Sequence, residues 1–196
     1  MATSVKEIAG FMEARGWKFE TVEDQGFVRV ILATEKYVDS QGEQSVLLIV
    51  EVMDEGKSWR AFIPKLYKIE DGPNSVALMK AFLYCTFMSK FAAWEVDLES
   101  GDVQISVRGI LSDGSLTQAQ FDRTVEHLGW AVDYYHQMIV EAKETGVLNP
   151  PVDESPVEAL CRRIASLSPA GQDRVKAGID AALAKAVENA PAPETL

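Results

Sequence analysis

Along residues 4–15 the apolar positions Val5, Ile8, Phe11 and Met12 recur at helical spacing, which gathers them on one side of a short helix. Ser4-Val-Lys-Glu7 is a capping-box pattern in which each side chain satisfies the other residue's backbone N–H. Gly16 can end that helix in a left-handed turn. From residue 17 the rhythm changes to every second position. Residues 17–22, 27–32, 45–53 and 58–69 alternate or run rich in Val, Ile, Leu and aromatic side chains. Turn chemistry separates them at residues 23–26, 37–43 and 54–57, which implies an antiparallel meander.

After the break at residues 71–74 the helical period returns. Val76, Met79, Leu83, Phe87 and Phe91 share one face, and Leu78, Phe82 and Cys85 lie beside it. Apolar residues cover most of this helix, so it is expected to be buried on all sides. Residues 94–98 and 103–111 read as two more strands. Thr117-Gln-Ala-Gln120 is a second capping box. It opens a long helix whose seam, Phe121, Val125, Leu128, Val132, Tyr135, Ile139 and Ala142, advances by alternating steps of four and three to an end near Gly146. Such a seam packs on a sheet, on a neighbouring helix or on a second copy of itself.

Residues 147–154, with Asn149-Pro-Pro-Val-Asp-Glu154, are a linker by composition. Beyond it, Ser155-Pro156 and Ser168-Pro169 each place Ser at an N-cap and Pro in a first turn. Two short amphipathic helices follow, so a helical hairpin is expected over 155–190, with a disordered tail at 191–196. The expected fold is α+β, in the order α-β-β-β-(β)-α-β-β-α. It has an antiparallel β-sheet of five to six strands with helices on one face, and residues 1–146 form the main domain. No internal repeat is visible.

Composition narrows function more than it names it. The chain of 196 residues is 47% apolar and carries a formal net charge of −11. A chain this long buries a sizeable core without staples. An acidic surface repels phosphate backbones, so no nucleic-acid partner is expected. With only Cys85 and Cys161, a disulfide framework is not expected, and reduced thiols in a cytoplasm are the simpler reading. The N-terminus lacks the pattern of a signal peptide, and no apolar run approaches the roughly 20 residues of a membrane helix.

Candidate chemistry is sparse. Asp97-Leu-Glu-Ser-Gly-Asp102 has the look of a calcium loop, yet an EF-hand needs Gly at its sixth position and Glu at its twelfth. Here those positions hold Asp102 and Arg108. The stretch is expected to be a tight turn between two strands, with Gly101 at positive φ. His127 and His136 stand nine apart on the long helix, about 180° from each other, and cannot share a metal within it. They read as ordinary surface or interface histidines. Cys161 beside Arg162 and Arg163 lacks the partner histidine that a nucleophile needs. Glu95 and Asp97 alternate along a strand as its solvated face. Phosphate-binding glycine motifs and the nucleophile elbow are absent. No catalytic, cofactor-binding or metal-ligating residue is assigned, and no enzyme is expected.

The order of elements, together with residues 94–135 (WEVDLESGDVQISVRGILSDGSLTQAQFDRTVEHLGWAVDYY), resembles the YbjN family, whose fold is like that of the type III secretion chaperones. A strand pair ending in "VRGIL", the short "DGSLT" connection and the seam helix with "VDYY" carry the likeness, over roughly residues 4–145. The resemblance implies a small acidic protein that often forms a homodimer and acts by holding other proteins rather than by chemistry. It brings no invariant functional residues. The first expectation is therefore a cytoplasmic protein-binding module with a chaperone-like or regulatory role. It would use apolar surface: the sheet face, grooves beside the helices, and any uncovered part of the seam at Phe121, Val125, Leu128, Val132, Tyr135 and Ile139. The alternative is a regulator responding to a small molecule or divalent metal, with a pocket under the helix of residues 76–91.

Overall fold

The computed structural model describes residues 2–112, 114–151, 174 and 176. Residues up to Pro151 form one compact unit. Apart from residues 174 and 176, the expected hairpin lies outside the described residues, as do the tail, Cys161 and residues 152–154 of the linker.

The element order follows the sequence rhythm. Helix α1 (Val5–Ala14) is followed by strands β1 (Phe19–Val22), β2 (Phe27–Ala33), β3 (Ser45–Met53) and β4 (Ser58–Lys68). Then come α2 (Ser75–Met88), β5 (Ala93–Val96), β6 (Asp102–Ile110) and the long α3 (Gln118–Thr145). Both capping boxes form: Glu7 with Ser4 at α1, and Gln120 with Thr117 at α3. Gly146, at φ 74°, closes α3 through a bond from its N–H to the Ala142 carbonyl.

The six strands make one antiparallel sheet in the order β1-β2-β3-β4-β6-β5. The chain leaves β4 for α2, returns at the edge as β5, and fills the gap with β6. One alternation faces the helices. Val28 and Val30, Leu48 and Val50, Trp59, Ala61 and Ile63, and Val103, Ile105 and Val107 join α1, α2 and α3 in a single core. The α3 seam lies at its centre. Phe121 is fully buried, its ring 5.5 Å from Phe11 and 6.4 Å from Trp17.

Strand β4 has an irregularity between Ile63 and Tyr67, where Lys65 sits at φ 54° after Pro64. Proline belongs at such a bulge because it has no N–H to give the ladder. Beyond it, Tyr67 rejoins the core against Phe82 and Trp94, at 5.7 and 6.1 Å.

The DLESGD stretch is the tight turn expected. Asp97 accepts from the Glu99 N–H at 3.0 Å and from the Ser100 hydroxyl at 2.9 Å, and Gly101 takes φ 74°. Those two bonds draw the Asp97 carboxyl below its usual range. A Cβ on Gly101 would lie 2.3 Å from the Ile69 carbonyl oxygen, so the turn needs glycine for space as well as for φ.

Helix α2 departs from expectation. It is not buried on all sides. Leu78, Ala81, Phe82 and Cys85 face the core, while Val76, Met79, Leu83 and Phe87 are exposed. The reason is layering: in a two-layer fold a helix meets the sheet on one side only, and an apolar outer side gains no partner from its own hydrophobicity.

Candidate functional site

The expected interaction residues of α3 are withdrawn from solvent. Phe121, Val125, Leu128, Val132, Tyr135 and Ile139 are all at or below 3% exposure. Their spacing served the core of one chain. No part of that six-residue seam is left uncovered, so it does not form a surface.

The exposed apolar surface is on α2. Leu83 is 70% exposed, Phe87 85%, Val76 57% and Met79 42%. These residues follow each other by steps of three and four, so they form one stripe along the helix. Met88 and Phe91 continue it at the C-terminal end. Lys80 is the only charged residue in Ser75–Met88. Isolated exposed apolar residues are ordinary on a protein surface, but a contiguous stripe marks an interaction site.

Both ends of α2 are fixed to α3. At its start, Asn74 makes no cap to its own helix. Its Nδ2 donates instead to the carbonyls of Lys143 and Glu144, both at 3.0 Å, satisfying groups that the end of α3 would otherwise leave open. A Cβ on Gly146 would lie 2.6 Å from Asn74 Oδ1. Beyond the other end, the Phe91 ring rests on the His127 imidazole at 4.3 Å. Trp130 stands 5.4 Å further along, and Tyr134 stacks on it at 4.6 Å. Trp130 is half exposed. The stripe therefore runs toward an aromatic group on α3, with contacts to α3 at its start and just past its end.

The two histidines occupy separate settings, neither of them simple surface. Burial, with Lys90 and Arg123 nearby, holds the His127 pKa below its ordinary value. His127 Nε2 is buried and makes no hydrogen bond among the described residues. His136 Nδ1 lies 2.9 Å from the Tyr67 hydroxyl, and the Tyr37 ring meets its edge at 5.4 Å. Burial lowers its pKa and Asp133 opposes that. Asp133 itself holds the loop after β2, accepting from the N–H groups of Glu35, Lys36 and Tyr37 at 2.9, 2.8 and 2.9 Å. The His136 and Asp133 contacts are structural, joining α3 to β4 and to the loop after β2.

Glu95 is likewise spoken for. On the sheet face away from the helices it pairs with Arg60 at 3.1 Å and Arg108 at 2.8 Å, and accepts from Gln104 at 2.8 Å. Arg60 also covers the Phe62 ring at 4.2 Å. Cys85 is buried, and desolvation pushes its thiol far above the range in which a nucleophile works. Among the described residues no three His, Cys, Asp or Glu side chains come together in a set that could hold a metal ion, and no helix is long and apolar enough to cross a membrane.

Sequence reasoning named Val76, Met79, Leu83, Phe87 and Phe91 as one face of this helix and assigned them to the core. The signal that separates them was present: a helix apolar all round exceeds what one sheet face can cover. Only the placement of α2 in the outer layer turns that excess into surface.

No family model matches the chain, and no curated protein does. Among solved structures, it is similar to the crystal structure of "YbjN, a putative transcription regulator from E. coli". The two share 11% identity at a TM-score of 0.52, over 77% of this chain and 99% of that one. The likeness is one of fold, and it agrees with the α+β architecture described above.

Proposed function

We propose that this chain is a non-enzymatic protein-binding module with a regulatory role, and that the outer face of α2 is the surface it binds with. The observation that carries this is the stripe Val76, Met79, Leu83 and Phe87, exposed on a helix tied down at both ends. A stripe carried on a formed helix has its backbone already ordered before binding, which favours association. It suits an amphipathic helix laid alongside it.

The partner this stripe fits first is a second copy of the chain. With Lys80 the one charge in the helix, two copies can meet here although each chain carries a net charge of −11. The fold neighbour is described as "a putative transcription regulator". On a chain this acidic, regulation through protein contact is better supported than regulation through direct grip on DNA.

Light scattering coupled to size exclusion tests this on the full chain. The wild type is expected as a dimer, and the L83D/F87D variant as a monomer with an unchanged circular dichroism spectrum. A wild type that is monomeric across the accessible concentration range would remove the second copy from α2 and this reading with it.

A further inference from the structure

Beside the end of β6 lies a pocket of about 420 Å³ that Val76, Met79, Leu83 and Phe87 do not line. Its apolar walls include Trp59, Phe91, Ile110 and Leu116, and Lys90 and Arg123 stand among its lining residues. The pocket exists because residue 109 is glycine. Gly109 pairs with Trp59 across the β4–β6 ladder, and a Cβ there would lie 2.2 Å from the indole nitrogen. The indole can therefore lie over the end of β6 as a flat wall. Ile110, the next residue, is 84% exposed at the pocket's edge.

The two cations stand on a chain that is acidic overall. The chain has 30 acidic side chains against 19 Lys and Arg. Arg15, Arg29, Arg60 and Arg108 are each paired with one or more of those acids. Among the described residues neither Lys90 nor Arg123 forms a salt bridge. Both act instead on His127, whose ring backs Phe91 and which is itself a base. Lys90 and Arg123 thus give an apolar pocket a cationic side, and no Asp or Glu stands among its described lining residues.

We infer that this pocket binds a small apolar molecule carrying a single carboxylate, such as a medium-chain fatty acid. The tail lies along Trp59, Phe91, Ile110 and Leu116, and the carboxylate meets Arg123 and Lys90. A guanidinium matches a carboxylate with two parallel hydrogen bonds. The volume falls in the range of small-molecule sites. A polyphosphate fits poorly, because two cations cannot balance it on so acidic a chain. The pocket shares Phe91 with the end of the α2 stripe, while Val76, Met79, Leu83 and Phe87 lie outside its lining.

The test is calorimetric titration of the full chain with decanoate, and with decanol as the uncharged control. Decanoate is expected to bind saturably at one site per chain. Decanol should bind about tenfold or more weaker, the equivalent of one lost charge-assisted hydrogen bond. R123Q and K90Q should each weaken decanoate while leaving decanol unchanged. L83D/F87D, whose substitutions lie outside the pocket, should bind decanoate as the wild type does, so failure here is distinct from failure of the α2 surface. Absence of saturable decanoate binding at millimolar concentration overturns the inference. So does equal binding of decanoate and decanol, or binding untouched by either cation substitution.

Discussion

Helices α2 and α3 are both rich in apolar side chains, and the fold treats them in opposite ways. Helix α3 confines its apolar residues to one seam, and the core takes all of it, from Phe121 to Ala142. Helix α2 has apolar residues all round, and the core takes only Leu78, Ala81, Phe82 and Cys85. The lesson is that apolar content on a helix predicts burial only up to the width of surface available to cover it. What exceeds that width is a surface feature, and on α2 it forms a stripe rather than a scatter.

The sharpest way to break the comparison is to truncate one leucine on each helix. Leu128→Ala, at a fully buried position, is expected to cost about 3 kcal/mol in urea denaturation, from lost burial and the cavity left behind. Leu83→Ala, measured in an F87D background so that association does not contribute, is expected to change stability by less than about 0.5 kcal/mol. Equal costs would mean that the outer face of α2 belongs to the core after all.

A second substitution probes the close approach that shapes the pocket. Gly109→Ala puts a methyl where the Trp59 indole lies. The ring must shift, and the expected loss is about 1–3 kcal/mol, as for other overpacked sites. Tryptophan fluorescence should move with it. An unchanged spectrum and midpoint would show that the indole has room the geometry does not provide.

Smaller is the effect of Asp133→Ala. It removes the acceptor for three backbone N–H groups in the loop after β2. The expected cost is about 1–2 kcal/mol, with faster hydrogen exchange confined to residues 35–37. Exchange that quickens across the whole sheet instead would show that Asp133 supports more than its loop.

Smallest is the dependence on pH. Burial works to raise the Asp133 carboxyl, but the three N–H donors and His136 outweigh it, so its pKa lies below the ordinary value. That contribution is complete at neutral pH and is lost as pH falls through the folded value. His127 and His136 are held below the ordinary imidazole value, chiefly by burial. Below a pH of about 6.5 the unfolded chain takes up protons that the folded chain resists. All three groups therefore act in one direction, and urea midpoints are expected to fall as pH drops from 7 toward 4. His127→Gln should flatten the upper part of that curve. A midpoint that rises between pH 7 and pH 5 would contradict the direction for both histidines.

Much of the architecture was legible in the chain. The period-two and period-3.6 stretches, two capping boxes and the turn at Asp97 belong to local physics, so they can be read without knowing the fold. Boundaries shifted by a few residues: α2 ends at Met88, where Phe91 had looked helical, and β5 spans only Ala93–Val96. The candidate surface was less legible. The expected docking residues on α3 are core, and the exposed residues on α2 had been assigned to the core. A period tells which side chains share a face, but not what that face will meet.

The sequence by itself determined that this is an α+β chain with a long amphipathic final helix in its main domain, acidic overall, and without a recognisable catalytic motif. Those properties follow from spacing, composition and caps, which act over a few residues. The tertiary structure alone decided which apolar face is covered. It also set β6 between β4 and β5, brought Asn74 to the end of α3, and placed Lys90 and Arg123 beside one pocket. Each of these joins residues far apart in the chain, and their proximity depends on how the layers stack rather than on any local preference.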